Sequence, residues 1–346
     1  MKKLLNTLFV TRQGVYLAKD GECIAVREGG GDLGETLLRV PIHTLESIVC
    51  FGRVSASPPL MGFCGENHVL LSFFAENGQF LARVHGRTVG NILLRRSQYR
   101  IADHPEAAAG IAQSIVCAKT ANSRLVVQRA ARDHPDFAEP LSAAADRLAI
   151  ILRRLQTGAL PLDILRGIEG EAAQHYFSAF DAMICAQKQD FTFLSRSRRP
   201  PRDRINALLS FLYTLLTHDC AAALEGVGLD ASCGFLHVDR PGRPSLALDL
   251  IEELRPVLAD RLALSLVNRL QVKPGDFEHR DSGAVFLSES GRKQVIAAWQ
   301  ERKRDAFTHP VIGERLELGL LPHVQALLLA RHIRGDIAGY PSLLWK

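Results

Sequence analysis

Up to about residue 85, apolar residues come in short runs broken by turn formers. The runs at 8–10, 15–17 and 23–26 are separated by Gly14 and by Asp20-Gly21, residues that hairpin turns favour. Further runs at 45–51, 69–74 and 80–84 are punctuated by glycine and by Asn77-Gly78. From about Arg95 the spacing becomes helical, as in Ile111, Ile115 and Val116, then Leu141, Leu148 and Leu152. Pro105, Pro135, Pro140 and Pro161 mark helix starts and breaks. The pattern predicts an α+β chain whose texture changes near residues 86–91. A small N-terminal β-rich domain over 1–88 precedes a larger all-α domain over 89–346. No internal repeat or low-complexity segment is present.

Three helices of the second part carry most of the candidate chemistry. One is expected over 162–177. A second follows Asp203 as N-cap and runs through 205–223. Its Ala207, Leu208, Leu209, Phe211, Leu212, Leu215 and Leu216 are apolar almost all round, which predicts a central, buried helix. The third starts after Ser245 and reaches about Val267.

Composition narrows the class without naming an activity. A chain of 346 residues, 47% apolar and 23% charged, is that of a soluble globular protein of one large or two ordinary domains. Lys and Arg outnumber Asp and Glu by 42 to 37, with a pI near 8.9, which permits a polyanionic partner without demanding one. The seven cysteines, Cys23, Cys50, Cys64, Cys117, Cys185, Cys220 and Cys233, are scattered and form no C-x-x-C pair. Neither a disulfide framework nor a structural zinc site is indicated. The start MKKLLNTLFVTRQG opens like a signal peptide, but its apolar run ends in Thr11-Arg12-Gln13-Gly14 without a cleavage site. No stretch approaches the roughly 18 apolar residues of a membrane span. The expected setting is the reducing cytoplasm, without a membrane.

Among the motifs, Gly29, Gly31 and Gly34 satisfy G-x-G-x-x-G, but residues 35–41 after them are too short and too β-like for the helix that pattern needs. They are read as a loop. In residues 166–177, Gly167 and Gly170 flank Glu169 inside a helix, each at about 1 kcal/mol relative to alanine. Such a cost is tolerated where a backbone or ligand comes close, which would set Glu169 in a tight site. The plainer reading is a small-residue helix crossing with an exposed glutamate. In residues 233–256 an apolar run ends at His237, a basic Pro/Gly turn with Arg243 follows, and a helix then carries Asp249, Glu252 and Glu253 on one face. Asp249 and Glu252 are spaced to share a cation; acids in the first turns of a helix also commonly just face water. Residues 196–204 hold five arginines, Arg196, Arg198, Arg199, Arg202 and Arg204, suited to phosphate, with Lys119, Arg124, Arg129, Arg95 and Arg96 as a further basic surface. A solvated loop supported by carboxylates is the alternative. One imidazole and two or three carboxylates without thiolates favour Mg²⁺ or Mn²⁺ over zinc, and such an ion serves phosphodiester chemistry.

Three motifs in one order, GIEGEAAQHYF (167–177), SRRPPRDRINALLSFLYTLL (197–216) and GFLHVDRPGRPSLALDLIEELRP (234–256), resemble the CRISPR-associated spacer-acquisition endonuclease/integrase family, in the form found in type I-C loci. The resemblance covers essentially the whole chain and is weakest beyond about Val272. It implies an N-terminal β domain used in dimerisation and an α-helical catalytic domain. It implies that Glu169, His237 and Glu252 are catalytic and bind the metal, with Asp249 as an additional carboxylate that completes or orients the site; Glu253 has no equally clear counterpart. Implied partners are a second copy of the chain, a small ferredoxin-like adaptation protein, the double-stranded prespacer and the CRISPR repeat. The implied reaction is attack of a DNA 3′-hydroxyl on a repeat phosphodiester. Two alternatives stand beside it: a structure-selective nuclease on branched DNA, and a non-catalytic DNA-binding scaffold.

Overall fold

The structure, a computed structural model, describes residues 7–29, 31, 34–75, 80–84, 86 and 92–345. The Asn77-Gly78 turn, the first six residues and most of the expected boundary at 86–91 lie outside the described residues. The chain divides into two compact units, Met1–Gly90 and Asn91–Lys346. The first is β-rich and the second mostly helical, so the class is α+β.

In the first unit, β1 (Thr7–Val10), β2 (Val15–Asp20), β3 (Cys23–Glu28), β4 (Thr36–Pro41), β5 (Ser47–Phe51), β6 (Val54–Ala56), α1 (Pro58–Glu66), β7 (Leu70–Phe74) and β8 (Phe80–Val84) follow in order. They form two four-stranded sheets, ordered β4-β3-β2-β6 and β1-β5-β7-β8. β2 and β3 are an antiparallel hairpin closed at Asp20 and Cys23, where Gly21 takes the positive φ of +60° that its turn requires. Leu17 and Ile24 from one sheet, Ile48 and Leu71 from the other, and Leu60 and Phe63 of α1 belong to one core cluster. The sequence pattern missed α1, although its start is marked: the Ser57 side chain accepts from the Leu60 amide, and Pro58 opens the first turn. Gly29, Gly31 and Gly34 lie in the connection between β3 and β4, so a strand follows them, as the loop reading requires.

The second unit contains α2 (Ile92–Ala102), α3 (Pro105–Asp133), α4 (Ala138–Leu155), α5 (Leu162–Ser178), α6 (Arg204–Gly226), α7 (Ser245–Arg255) and α8 (Arg261–Asn268). After α8 come β9 (Phe277–His279), β10 (Val285–Leu287), α9 (Glu289–Lys303), β11 (Ala306–Thr308), β12 (Arg315–Glu317) and α10 (Leu321–Arg334). β9–β10 and β11–β12 are two small antiparallel ribbons that an all-α reading does not contain. Pro140 breaks nothing: it sits in the first turn of α4, where a missing N–H costs no hydrogen bond. The helix expected from Ser245 to about Val267 is instead α7 and α8 joined by a π-helical turn over Pro256–Asp260. Pro256 lacks the N–H that a continuous helix would use there. α6 is long and apolar enough to cross a membrane by length and composition, yet most of its window is buried inside this unit. Its Asp203 cap accepts from the Asn206 amide, as the sequence indicated.

α3 packs on α4, α5 and α7, while α6 packs on α7 and α10. That enclosure leaves α7 buried on nearly every side, acids included.

Candidate active site

Every acid of α7 is inside, so none simply faces water. Asp249 and Glu253 are fully buried and Glu252 is 4% exposed. The three point to different partners. A buried carboxylate survives only when its lone pairs are matched, and each set of partners defines a role.

Asp249 is the acceptor for a loop. Its Oδ2 takes the amides of Phe235 (2.6 Å) and Leu236 (3.0 Å), and its Oδ1 takes the amide of His237 (2.9 Å) and lies 2.7 Å from His237 Nδ1. Three successive amides form a nest around the carboxylate. With Asp249 ionised, Nδ1 carries the proton, a tautomer inferred from the bonding, and Nε2 is the nitrogen left for another partner. Both oxygens of Asp249 are thereby used. Of the two roles expected for it, the structure supports orienting His237 and not joining a shared cation directly.

Close packing fixes the same loop. A Cβ at Gly234 would stand 2.8 Å from Ser245 Cβ and 2.9 Å from the His237 carbonyl oxygen. Arg166 of α5 donates to the Leu236 carbonyl at 2.8 Å. Gly234→Ala is expected to push the His237 carbonyl aside and lower turnover on DNA by about 100-fold, the cost of an ångström-scale misplacement. Single-turnover kinetics check this, with DNA binding as the control.

Glu169 and Glu252 converge on one ammonium. Lys119 Nζ of α3 bonds Glu169 Oε1 and lies 2.6 Å from Glu252 Oε2. Arg255 Nη2 is 2.7 Å from the same Glu252 oxygen and 3.8 Å from Glu169 Oε1. Burial would raise the Glu252 pKa, but Arg255, Lys119 and His237 outweigh it and hold the carboxyl at about 2. For Arg255, burial opposes the charge and Glu252 outweighs it, so the guanidinium pKa is raised. Despite these ion pairs, Glu252 Oε2 has no well-aligned hydrogen bond.

Behind the cations, Asp260 accepts from Tyr176 Oη (2.9 Å) and Tyr213 Oη (2.6 Å). The Tyr213 ring lies beneath the Arg255 and Arg196 guanidinium groups, each 5.3 Å from its centroid. Glu253 turns away: it accepts from Tyr340 Oη, the Leu343 amide and Gln325 Nε2. Burial pushes its carboxyl up to about 7 against those bonds.

The expected DNA-contacting residues divide. Arg198, Arg199 and Arg202 are exposed. Arg243 feels the loop: burial lowers its pKa, then Arg240 does, and, against the opposing pull of Asp249, Arg199 and Arg198 add to it. Arg198, Arg199 and Arg240 thus lie close enough to Arg243, on the loop of the His237–Asp249 pair, for their charges to act on it. The others are committed to the fold. Arg196 donates to Asn206 Oδ1 at 2.6 Å and Ser210 Oγ at 3.1 Å; Arg204 donates to the Asp190 carbonyl at 2.7 Å; Arg124 donates to the Ala145 carbonyl at 3.2 Å. Lys119 is not on the surface but between two glutamates, only 4% exposed. A Cβ at Gly167 or Gly170 would meet nothing within 4 Å among the described residues, so neither glycine serves a close approach of neighbouring protein.

Sequence reasoning missed Arg255, Tyr176, Tyr213 and Asp260 and misplaced Lys119. Arg255 had a signal, three residues after Glu252 on one helix face. The others had none: Lys119 meets Glu169 and Glu252, and Tyr176 and Tyr213 meet Asp260, only through tertiary packing.

Glu169, Glu252 and His237 are the residues that could hold the metal expected from the sequence. Among the described residues no three His, Cys, Asp or Glu side chains are gathered into a ready-made cage. The donors nonetheless fit a hard cation: two carboxylates already share one positive atom, and the imidazole has one nitrogen held by a carboxylate.

Residues 8–301 match the family described as CRISPR associated protein Cas1. The chain is 52% identical over 348 residues to "CRISPR-associated endonuclease Cas1 1" of Chlorobaculum tepidum, covering 100% of both chains. Two solved structures share the fold at 21% identity. One, described as a casposase bound to integration product, has a TM-score of 0.80 over 100% of this chain and 95% of its own. The other, described as a Cas6-RT-Cas1–Cas2 complex, has a TM-score of 0.83 over 100% of this chain and 36% of its own. With the match spanning most of its length and a full-length relative at this identity, the chain belongs to the CRISPR-associated protein Cas1 family.

Proposed function

We propose that the protein is a metal-dependent DNA endonuclease/integrase that inserts captured DNA as new spacers into a CRISPR array. The carrying observation is the meeting of Glu169 and Glu252 on one cation, beside a His237 whose ring is set by Asp249. Family membership and the endonuclease relative support the nuclease class. The fold shared with a casposase bound to integration product supports strand transfer, and the fold shared with a Cas1–Cas2 assembly supports a small adaptation partner.

In this reading Glu169, Glu252 and His237 through Nε2 would hold Mg²⁺ or Mn²⁺. The ion supplies charge stabilisation on the phosphodiester and lowers the pKa of a bound hydroxyl. The chain's own residues do the rest. Asp249 keeps the His237 ring in one tautomer and orientation. Arg255 and Lys119 hold Glu252 ionised, Lys119 also pairs with Glu169, and both cations bring positive charge to the point where phosphate charge develops. Arg198, Arg199, Arg202 and Arg243, with Arg240, grip the DNA backbone. The first unit serves as the homodimer contact, and the protein works in the cytoplasm.

The test is transfer of a short duplex into a repeat-bearing plasmid, with the partner present and with Mg²⁺, Mn²⁺ or EDTA, for wild type and Glu169→Ala. The expected result is metal-dependent product reduced at least about 100-fold in the variant. Cutting of branched DNA without strand transfer would give the nuclease alternative its place. Salt-sensitive DNA binding with neither reaction would leave a scaffold.

A further inference from the structure

The segment 340–345 enters the interior against the helix that carries Glu252, and its contacts are those of a fastening. The fully buried Glu253 is its anchor, accepting from the Tyr340 hydroxyl, the Leu343 amide and Gln325 Nε2. Asn122 of α3 closes the clasp. Its Nδ2 donates to the Glu253 carbonyl at 2.7 Å and the Leu343 carbonyl at 2.9 Å, and its Oδ1 accepts the Trp345 amide at 2.9 Å. Trp345 in turn stacks on Phe307, centroids 4.9 Å apart and planes 18° apart. The two helices joined this way present the two halves of the site: Lys119 lies three residues before Asn122 on α3, and Glu252 precedes Glu253 on α7.

We propose that residues 340–345 are a positioning strap for the active site, in which Glu253, Asn122 and Tyr340 lock α7 against α3 and thereby set Glu252 opposite Lys119. This rests on the reading of Glu252 as a metal-holding residue. None of the three touches DNA or metal. Their substitution acts through the placement of Glu252, where a shift of an ångström is enough to matter.

The experiment compares Glu253→Ala, Glu253→Gln, Tyr340→Phe and Asn122→Ala with wild type, each well below its own unfolding temperature. Strand-transfer kcat and KM are measured, and Mn²⁺ binding is read separately by electron paramagnetic resonance. Glu253→Ala is expected to lose about 30-fold or more in kcat, with KM for DNA within about twofold and Mn²⁺ binding weakened about 10-fold. Glu253→Gln should recover part of both, because its amide oxygen can still accept from the Leu343 amide while its NH2 donates to the Tyr340 hydroxyl oxygen. Tyr340→Phe and Asn122→Ala should lose kcat in the same sense by about 5-fold. If Glu253→Gln is as damaged as Glu253→Ala while Tyr340→Phe and Asn122→Ala keep wild-type kcat, the carboxylate is itself a ligand and the strap is overturned. If Tyr340→Phe and Asn122→Ala unfold earlier but keep wild-type kcat and Mn²⁺ binding, the segment is structural only and the proposal fails. Should Glu253→Ala not fold, those two variants decide alone. A wild type that neither binds Mn²⁺ nor transfers strands sinks the functional reading and the strap with it. An active wild type beside equally active variants sinks the strap alone.

Discussion

His237→Ala is expected to lower strand transfer by at least about 100-fold while leaving DNA affinity within about threefold and folding stability close to wild type. The three parts of this result have separate causes. The ring is only partly buried, 24% exposed, so its removal opens no enclosed core cavity. The arginines proposed to grip phosphate stay in place, so binding is expected to persist. What goes is the one imidazole nitrogen that Asp249 leaves available. Asp249→Asn should show a smaller loss of about 10- to 100-fold, the range for a residue that orients a ligand. Anisotropy with labelled duplex and plasmid strand-transfer assays make the comparison. Equal loss of binding and transfer in His237→Ala would sink the role assigned to it.

Glu252→Ala should cost both activity and stability. Truncation leaves the buried Lys119 and Arg255 without the carboxylate they share, and breaking such a pair from one side costs about 3–5 kcal/mol. The dependence on acid follows from the same contacts. The folded carboxyl sits at about 2, below its ordinary 4.5, because Arg255 and Lys119 outweigh the burial that would raise it. A depressed folded pKa means stability that is complete above pH 4.5 and lost as pH falls toward 2. Urea unfolding of wild type in EDTA should therefore weaken through that window, and Glu252→Gln should show a flatter response. A Glu252→Ala protein as stable as wild type, or identical acid profiles for Glu252 and Gln, would show that the ion pairs do not hold the site together.

Much of the molecule is legible in local pattern. The change from short apolar runs between turn formers to helical spacing yields the α+β order, and Asp203 marks the start of α6 because an N-cap is a contact between near neighbours. The motif order around Glu169, His237 and Glu252 places the candidate chemistry. The same kind of signal misleads where distant chain supplies the partner. On a helical wheel the acids of α7 read as a wet face, but α3 and the residues 340–345 cover them. Lys119 reads as surface charge and is the counterion of both glutamates. Arg196 reads as a phosphate contact and is spent on Asn206 and Ser210.

By itself, then, the sequence determined the order of a β-rich and a helical part, several of the helices and the motif residues offered for a cation, since propensity, capping and motif spacing act over a few neighbouring positions. Only the tertiary structure decided what each charge does. A buried carboxylate takes its role from the donors that reach it, and for Asp249, Glu252 and Glu253, adjacent on one helix, these come respectively from the preceding loop, from α3 with the helix's own Arg255, and from the end of the chain.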